Sequence, residues 1–287
     1  DPSEGKRLEM SLSRNTKAVF VESLGNPAMD IPDFEGISAV CKANNLPLIV
    51  DNTVPTPVLF NPGSIGAAIV IHSTTKSITG TGSAVGGAFV DTGTFDWARY
   101  PDEQVKEACS KFGSQAGFLA HTRKTIFSNT GACMSPYHAY LHMIGIETLS
   151  LRADRHCSNA SDLAVYLSDQ PGIEEVRYPT LESSPERQKA SKYFGGRGGG
   201  LLTIRLATKE TAFRFINGLS LAKTVANLGD TRTLVIHPAS TIYSGCSGEE
   251  REAAGVTDGL VRVSVGIEGI QDILTDFGQA LKEAREN

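Results

Sequence analysis

The feature that most constrains this fold is a series of short, continuous apolar runs in the first third of the chain, each ending in polar residues. Ala18-Val19-Phe20-Val21 is stopped by Gly25-Asn26-Pro27, and Pro47-Leu48-Ile49-Val50 ends in Asp51-Asn52-Thr53. Ala67-Ala68-Ile69-Val70-Ile71 ends in His72-Ser73-Thr74-Thr75-Lys76, and Gly86-Gly87-Ala88-Phe89-Val90-Asp91 forms a fourth run. Such runs read as strands buried on both faces. Between the first two, a segment opening at Ile31-Pro32-Asp33-Phe34 and reaching about Asn45 carries Ile37, Val40 and Cys41 on one helical face. Continuous strands separated by helices indicate an α/β fold with a largely parallel sheet covered on both sides. In such sheets ligands sit beyond the carboxyl ends of the strands. Asp51 and the Ser73–Lys76 cluster fall just there, and Asn26 follows the first strand by several residues.

The second half has a different texture. Ser135 to Leu167 is one long helical pattern closed by Pro171-Gly172. Ile173–Tyr178 and Leu201–Leu206 read as half-exposed strands, Lys209–Leu219 as a helix, Leu260–Ile267 as a strand and Ile270–Glu286 as a closing amphipathic helix. The expected organisation is a mainly parallel sheet domain over 1–150 and a C-terminal α+β domain over 151–287. Gly195-Gly196-Arg197-Gly198-Gly199-Gly200 reads as a flexible loop, and as a weak phosphate cradle because no helix start follows it.

A net charge of −5, with no basic stripe, argues against a nucleic-acid partner, and no apolar run is long enough to cross a bilayer. Five scattered cysteines without a CxxC pair argue against a disulfide framework or a zinc site and read as free thiols of a cytoplasmic protein; no metal is expected.

Lys76 sits behind three hydroxyls at a strand end and ahead of a glycine-rich turn, Gly80-Thr81-Gly82. A lysine is ordinarily a solvated surface charge, and an aspartate after a strand is ordinarily a turn residue. Together they suit pyridoxal phosphate (PLP), a cofactor that needs an amine for its aldehyde, an acid beside its pyridine nitrogen and donors for its phosphate. Arg262 lies inside an otherwise apolar strand, Leu260-Val261-Arg262-Val263-Ser264-Val265, so a buried anionic partner is expected.

Glu22-Ser23-Leu24-Gly25-Asn26-Pro27, Asp51-Asn52-Thr53, His72-Ser73-Thr74-Thr75-Lys76 and Arg262-Val263-Ser264-Val265-Gly266-Ile267-Glu268 occur in this order. Together they strongly resemble the PLP-dependent Cys/Met-metabolism (transsulfuration) enzymes of the aspartate-aminotransferase-like fold, fold type I. Ala226-Asn227-Leu228-Gly229-Asp230, Thr233 to Thr241 and Gly255-Val256-Thr257 look most like the O-acetylhomoserine sulfhydrylase branch. The resemblance implies that Lys76 carries the cofactor and shuttles protons, and that Asp51 partners the pyridine nitrogen. It further implies that Ser73 and Thr75 hold the phosphate, that Asn26 lies near the ring hydroxyl, and that Arg262, with Asn227 beside it, grips the substrate carboxylate.

The implied reaction is γ-replacement: O-acetyl-L-homoserine and sulfide, or a thiol, give L-homocysteine, or methionine, and acetate, with a sulfur-carrier protein as a further possible donor. A methionine or cystathionine γ-lyase, a cystathionine γ-synthase and a non-catalytic homologue are the alternatives. A homotetramer built as a dimer of dimers is also implied. Members usually carry an aromatic residue where Ser77 stands, a histidine at Thr81, and Thr-His at Ile242-Tyr243. They also carry an N-terminal portion with a ring-stacking tyrosine, a glycine-rich phosphate-binding turn and a Tyr/Arg pair that reaches a neighbouring subunit. That portion is absent from this sequence; the chain is either a fragment or the ordered part of a longer protein, and the expectation favours the second.

Overall fold

The computed structural model describes residues 5–286. Strands β1 (Val19–Glu22), β2 (Leu48–Asp51), β3 (Ile69–Ser73) and β4 (Gly87–Asp91) form one sheet in that order. β1, β2 and β3 are parallel, with Glu22 opposite Asp51 and Asp51 opposite Ile71, so their carboxyl ends share one edge. The helix Phe34–Ala43 is the crossover between β1 and β2; Asp33 caps it through the Gly36 N–H at 3.1 Å, and Phe34, Ile37 and Cys41 are buried.

The fourth strand departs from the expected parallel pattern. β4 runs antiparallel to β3, with Ser73 opposite Gly87. No helix intervenes between them. Residues 74–86 form no crossover helix of the kind a parallel return usually uses; Thr74 instead bonds Gly86 across the two ends of the turn, and the chain folds straight back.

The second sheet has the order β5 (Ile173–Arg177), β6 (Leu201–Leu206), β9 (Leu260–Ser264), β8 (Leu234–Ile236), β7 (Lys223–Thr224). In β9 every residue is buried, but the two faces differ. Val261 and Val263 join the core under the helices Lys209–Gly218 and Ile270–Glu286, where Phe215 and Phe277 meet edge to face at 5.6 Å. Period-two alternation therefore turns Leu260, Arg262 and Ser264 to the opposite face, toward the first sheet. The expected single helix from Ser135 to Leu167 is two, Pro136–Glu147 and Leu149–Ser168, broken at Thr148.

The glycine run is divided: Gly195 and Gly196 are exposed with open space around them, and the later part is packed. Gly198 and Gly199 are buried, and a Cβ on Gly198 would lie 2.4 Å from the Tyr178 ring. Tyr178 donates its hydroxyl proton to the Gly199 and Cys157 carbonyls at 3.0 and 3.2 Å. No helix among the described residues is long and apolar enough to cross a membrane.

Candidate active site

The turn after β3 presents Lys76. Ser73 donates its N–H to Thr53 Oγ1 at 2.8 Å, which ties the end of β3 to the turn after β2. Thr74 donates its N–H to Gly86 O at 3.0 Å, and Gly80 donates to Lys76 O at 2.8 Å, closing the turn on itself. Behind it lies Arg152 of the helix Leu149–Ser168. Its guanidinium donates to Ser77 O at 2.5 Å, Ile78 O at 3.2 Å, Gly145 O at 2.6 Å and Thr148 Oγ1 at 3.1 Å. Gly80, at φ +77°, has no room for a side chain: a Cβ there would lie 2.3 Å from Arg152 Nη1.

In front of the turn, Lys76 Nζ donates to Asn227 Oδ1 at 2.6 Å. The same asparagine accepts Arg262 Nη2 on its backbone carbonyl at 2.8 Å, while Arg262 Nη1 donates to Asn26 Oδ1 at 3.2 Å. Asn26 is held in turn by its own N–H, which donates to Glu22 Oε2 at 3.1 Å. Asn26, Lys76, Asn227 and Arg262 thus meet in one pocket of about 380 Å³. Burial, and then the charge of Arg262, hold the Lys76 amine below the ordinary lysine range. Burial also pulls the Arg262 guanidinium down to about 10, and the residue is only 3% exposed. Its Nε has no hydrogen-bond partner. A buried cation that lines a pocket and bonds only to amide oxygens suits an incoming carboxylate.

Asp51 and Ser73 close the carboxyl ends of adjacent strands. Asp51 Oδ1 accepts the Thr53 N–H at 2.9 Å, an Asx turn that leaves Oδ2 without a partner among the described residues. Ser73 Oγ likewise makes no bond among the described residues, so it can donate to a phosphate. Thr75 differs: its Oγ1 donates to Gly86 O at 3.2 Å and accepts the Gly86 N–H at 3.0 Å, so its proton is already committed. An amine with a lowered pKa, a free carboxylate oxygen and a free hydroxyl form a donor set that fits PLP.

Sequence reasoning did not single out Arg152, because its partners are carbonyls and a carbonyl has no signature in the sequence. It flagged Ser77 and Tyr243 only as departures. The room at Ser77 explains the first: a Cβ on Gly229 would sit 2.3 Å from Ser77 Oγ, so a small residue fits behind the lysine. Tyr243 lines the pocket, and its hydroxyl donates to Asn26 O at 3.4 Å.

Fold and site together define a PLP-dependent enzyme class of the aspartate-aminotransferase-like fold. The chain belongs to the Cys/Met metabolism PLP-dependent enzyme family, which matches residues 1–282. It is 42% identical over 280 residues to O-acetyl-L-homoserine sulfhydrylase 1 of Thermus thermophilus, covering 93% of this chain and 66% of that protein. It is 39% identical over 286 residues to the sulfhydrylase FUB7 of Gibberella moniliformis, covering 96% and 66%. A Campylobacter jejuni structure assigned to the O-acetylhomoserine (thiol)-lyases, with a pyridoxyl-lysine monophosphate in its chain, superposes with a TM-score of 0.88. It is 34% identical, and the match covers 98% of this chain and 70% of that one. The chain thus spans about two thirds of the length of the curated relatives it matches.

Proposed function

We propose that this protein catalyses γ-replacement on an O-acylated homoserine: O-acetyl-L-homoserine and sulfide, or a thiol, give L-homocysteine, or its S-alkyl relative, and acetate. The observation that carries the reading is that Asn227 binds both the Lys76 amine and the Arg262 guanidinium, on its side-chain and backbone oxygens respectively. A proton-transfer amine and a carboxylate grip are thereby held at one fixed separation, as an α-amino acid requires. The names of the sulfhydrylase relatives support the choice of γ-replacement among the reactions such a site can serve.

Lys76, Asp51, Ser73 and Asn26 would hold PLP, with Thr75 shaping the turn beside the phosphate. When bound, the cofactor supplies an aldehyde that links to amines and an electron-withdrawing ring that makes the substrate α-proton acidic. Arg262, whose guanidinium lines the pocket, clamps the α-carboxylate. The Lys76 amine, whose pKa burial and then the charge of Arg262 lower, takes the α-proton and returns a proton on the same face. Asn227 Oδ1 orients that amine between transfers.

The test is a product assay on PLP-loaded protein. O-acetyl-L-homoserine with sulfide should yield homocysteine and acetate, and Lys76→Ala should abolish both the activity and borohydride trapping of the cofactor. Release of α-ketobutyrate and ammonia without sulfur incorporation would assign a γ-lyase instead.

A further inference from the structure

We propose that Ile242 and Tyr243 make the Lys76 pocket selective for a carbon-bearing thiol over bare sulfide. This rests on the γ-replacement reading and names the class of its second substrate.

The four polar residues of the pocket, Asn26, Lys76, Asn227 and Arg262, are engaged with one another in the arrangement that receives the amino-acid head group. The rest of the lining is apolar: Ala226, Leu228, Ile242 and the ring of Tyr243. An amino acid with its carboxylate on Arg262 and its nitrogen at Lys76 has to direct its γ-carbon at these walls. Ile242 remains 43% exposed, so its apolar face is free to meet whatever enters. Tyr243 stands at a junction. It lines the Lys76 pocket and also a neighbouring groove of about 1110 Å³ that shares Asn26 with that pocket. The Tyr243 hydroxyl reaches the carbonyl of Asn26 at 3.4 Å, and its ring lines the pocket beside Ile242.

The groove adds a second discrimination. Glu22, Asp30 and Glu252 line it; its other acids, Glu175 and Glu186, are paired with Arg177 and Lys189. A negative approach disfavours the hydrosulfide anion and admits a neutral thiol. Inside the pocket, sulfide gains nothing from Ile242 and Tyr243, whereas a methyl group on sulfur leaves water for an apolar wall. One carbon in such a wall is worth about tenfold or more in discrimination. The chemistry balances without a further reactant. The γ-carbon–oxygen bond breaks, the γ-carbon–sulfur bond forms, and the thiol proton is released together with the acetate.

The experiment compares kcat/KM for methanethiol and for sulfide, each with saturating O-acetyl-L-homoserine, in the PLP-loaded protein and in Ile242→Thr, Tyr243→His and Tyr243→Phe. The wild type should prefer methanethiol by about tenfold or more. Ile242→Thr and Tyr243→His should cut that ratio by a similar factor, and Tyr243→Phe, which keeps the ring, should leave it in place. Equilibrium binding gives an independent readout: L-methionine should bind more tightly than L-homocysteine, with the difference collapsing in Ile242→Thr. A wild-type preference for sulfide, or a ratio unmoved by both polar variants, overturns the proposal while leaving γ-replacement standing. If neither sulfur compound is incorporated, the γ-replacement reading fails and the proposal falls with it.

Discussion

Two buried arginines flank Lys76, and they are used in opposite ways. Behind the lysine, Arg152 donates to three carbonyls and a hydroxyl, none of them ionised. In front, Arg262 makes two bonds to amide oxygens and keeps a buried Nε without a partner. Burial lowers the pKa of both guanidiniums. A cation whose donors are satisfied by backbone fixes a shape, and a cation with a donor left over awaits an anion. Under the proposed function, the back of the turn is architecture and the front is recognition.

The sharpest way to break this contrast is Arg262→Gln. If Arg262 is the proposed carboxylate grip, this should cost about 3 kcal/mol, on the order of 10²-fold in the KM for the amino acid. Steady-state kinetics should show this with little change in melting temperature. A large fall in melting temperature with an unchanged KM would make Arg262 a second Arg152. Next comes Arg152→Met, which leaves Ser77, Ile78 and Gly145 carbonyls buried without donors. Stability should drop by about 3 kcal/mol, several degrees in Tm, with the KM near wild type. Calorimetry beside kinetics separates the two outcomes.

The smallest effect is on pH. Burial and Arg262 hold the Lys76 pKa below its unfolded value, so between the two values the unfolded chain binds the extra proton and stability rises with pH. Arg262→Gln removes the charge contribution. The Lys76 pKa should move back up, and the pH of half-maximal labelling by an amine-reactive aldehyde should rise with it. Labelling that shifts down, or not at all, would uncouple the two residues.

The recognition side was largely legible in the sequence, and the architectural side was not. Asp51 and Ser73 end apolar runs, and a parallel sheet brings such ends to one edge, so their proximity followed from the run pattern. Arg262 was visible because a charge inside an apolar strand needs an explanation, and alternation about β9 supplies it. The direction of β4 was not visible: its run is as apolar as the others, and only the absence of a helix between Ser73 and Gly87 marks the antiparallel return. β7 and β8, of two and three residues, are too short to show a period. Composition does not reveal that Tyr178 packs against Gly198 and Gly199, the later part of the glycine run. Thr75 matches the family position, but its bond to Gly86 depends on where β4 begins, which the sequence does not give.

The helix Leu149–Ser168 has a consequence for how the molecule melts. Its first turns place Ala153 and Cys157 in the core around β1 and β2, and its later turns place Ala160, Leu163, Ala164 and Leu167 in the core beneath β6 and β9. One rod is therefore a structural member of both hydrophobic interiors. Losing either interior strips half the 20-residue rod of its packing, which is where most of a helix's stability in a protein comes from. The two halves therefore share one structural member, so hydrogen exchange should show amide protection lost along the whole helix when either half opens.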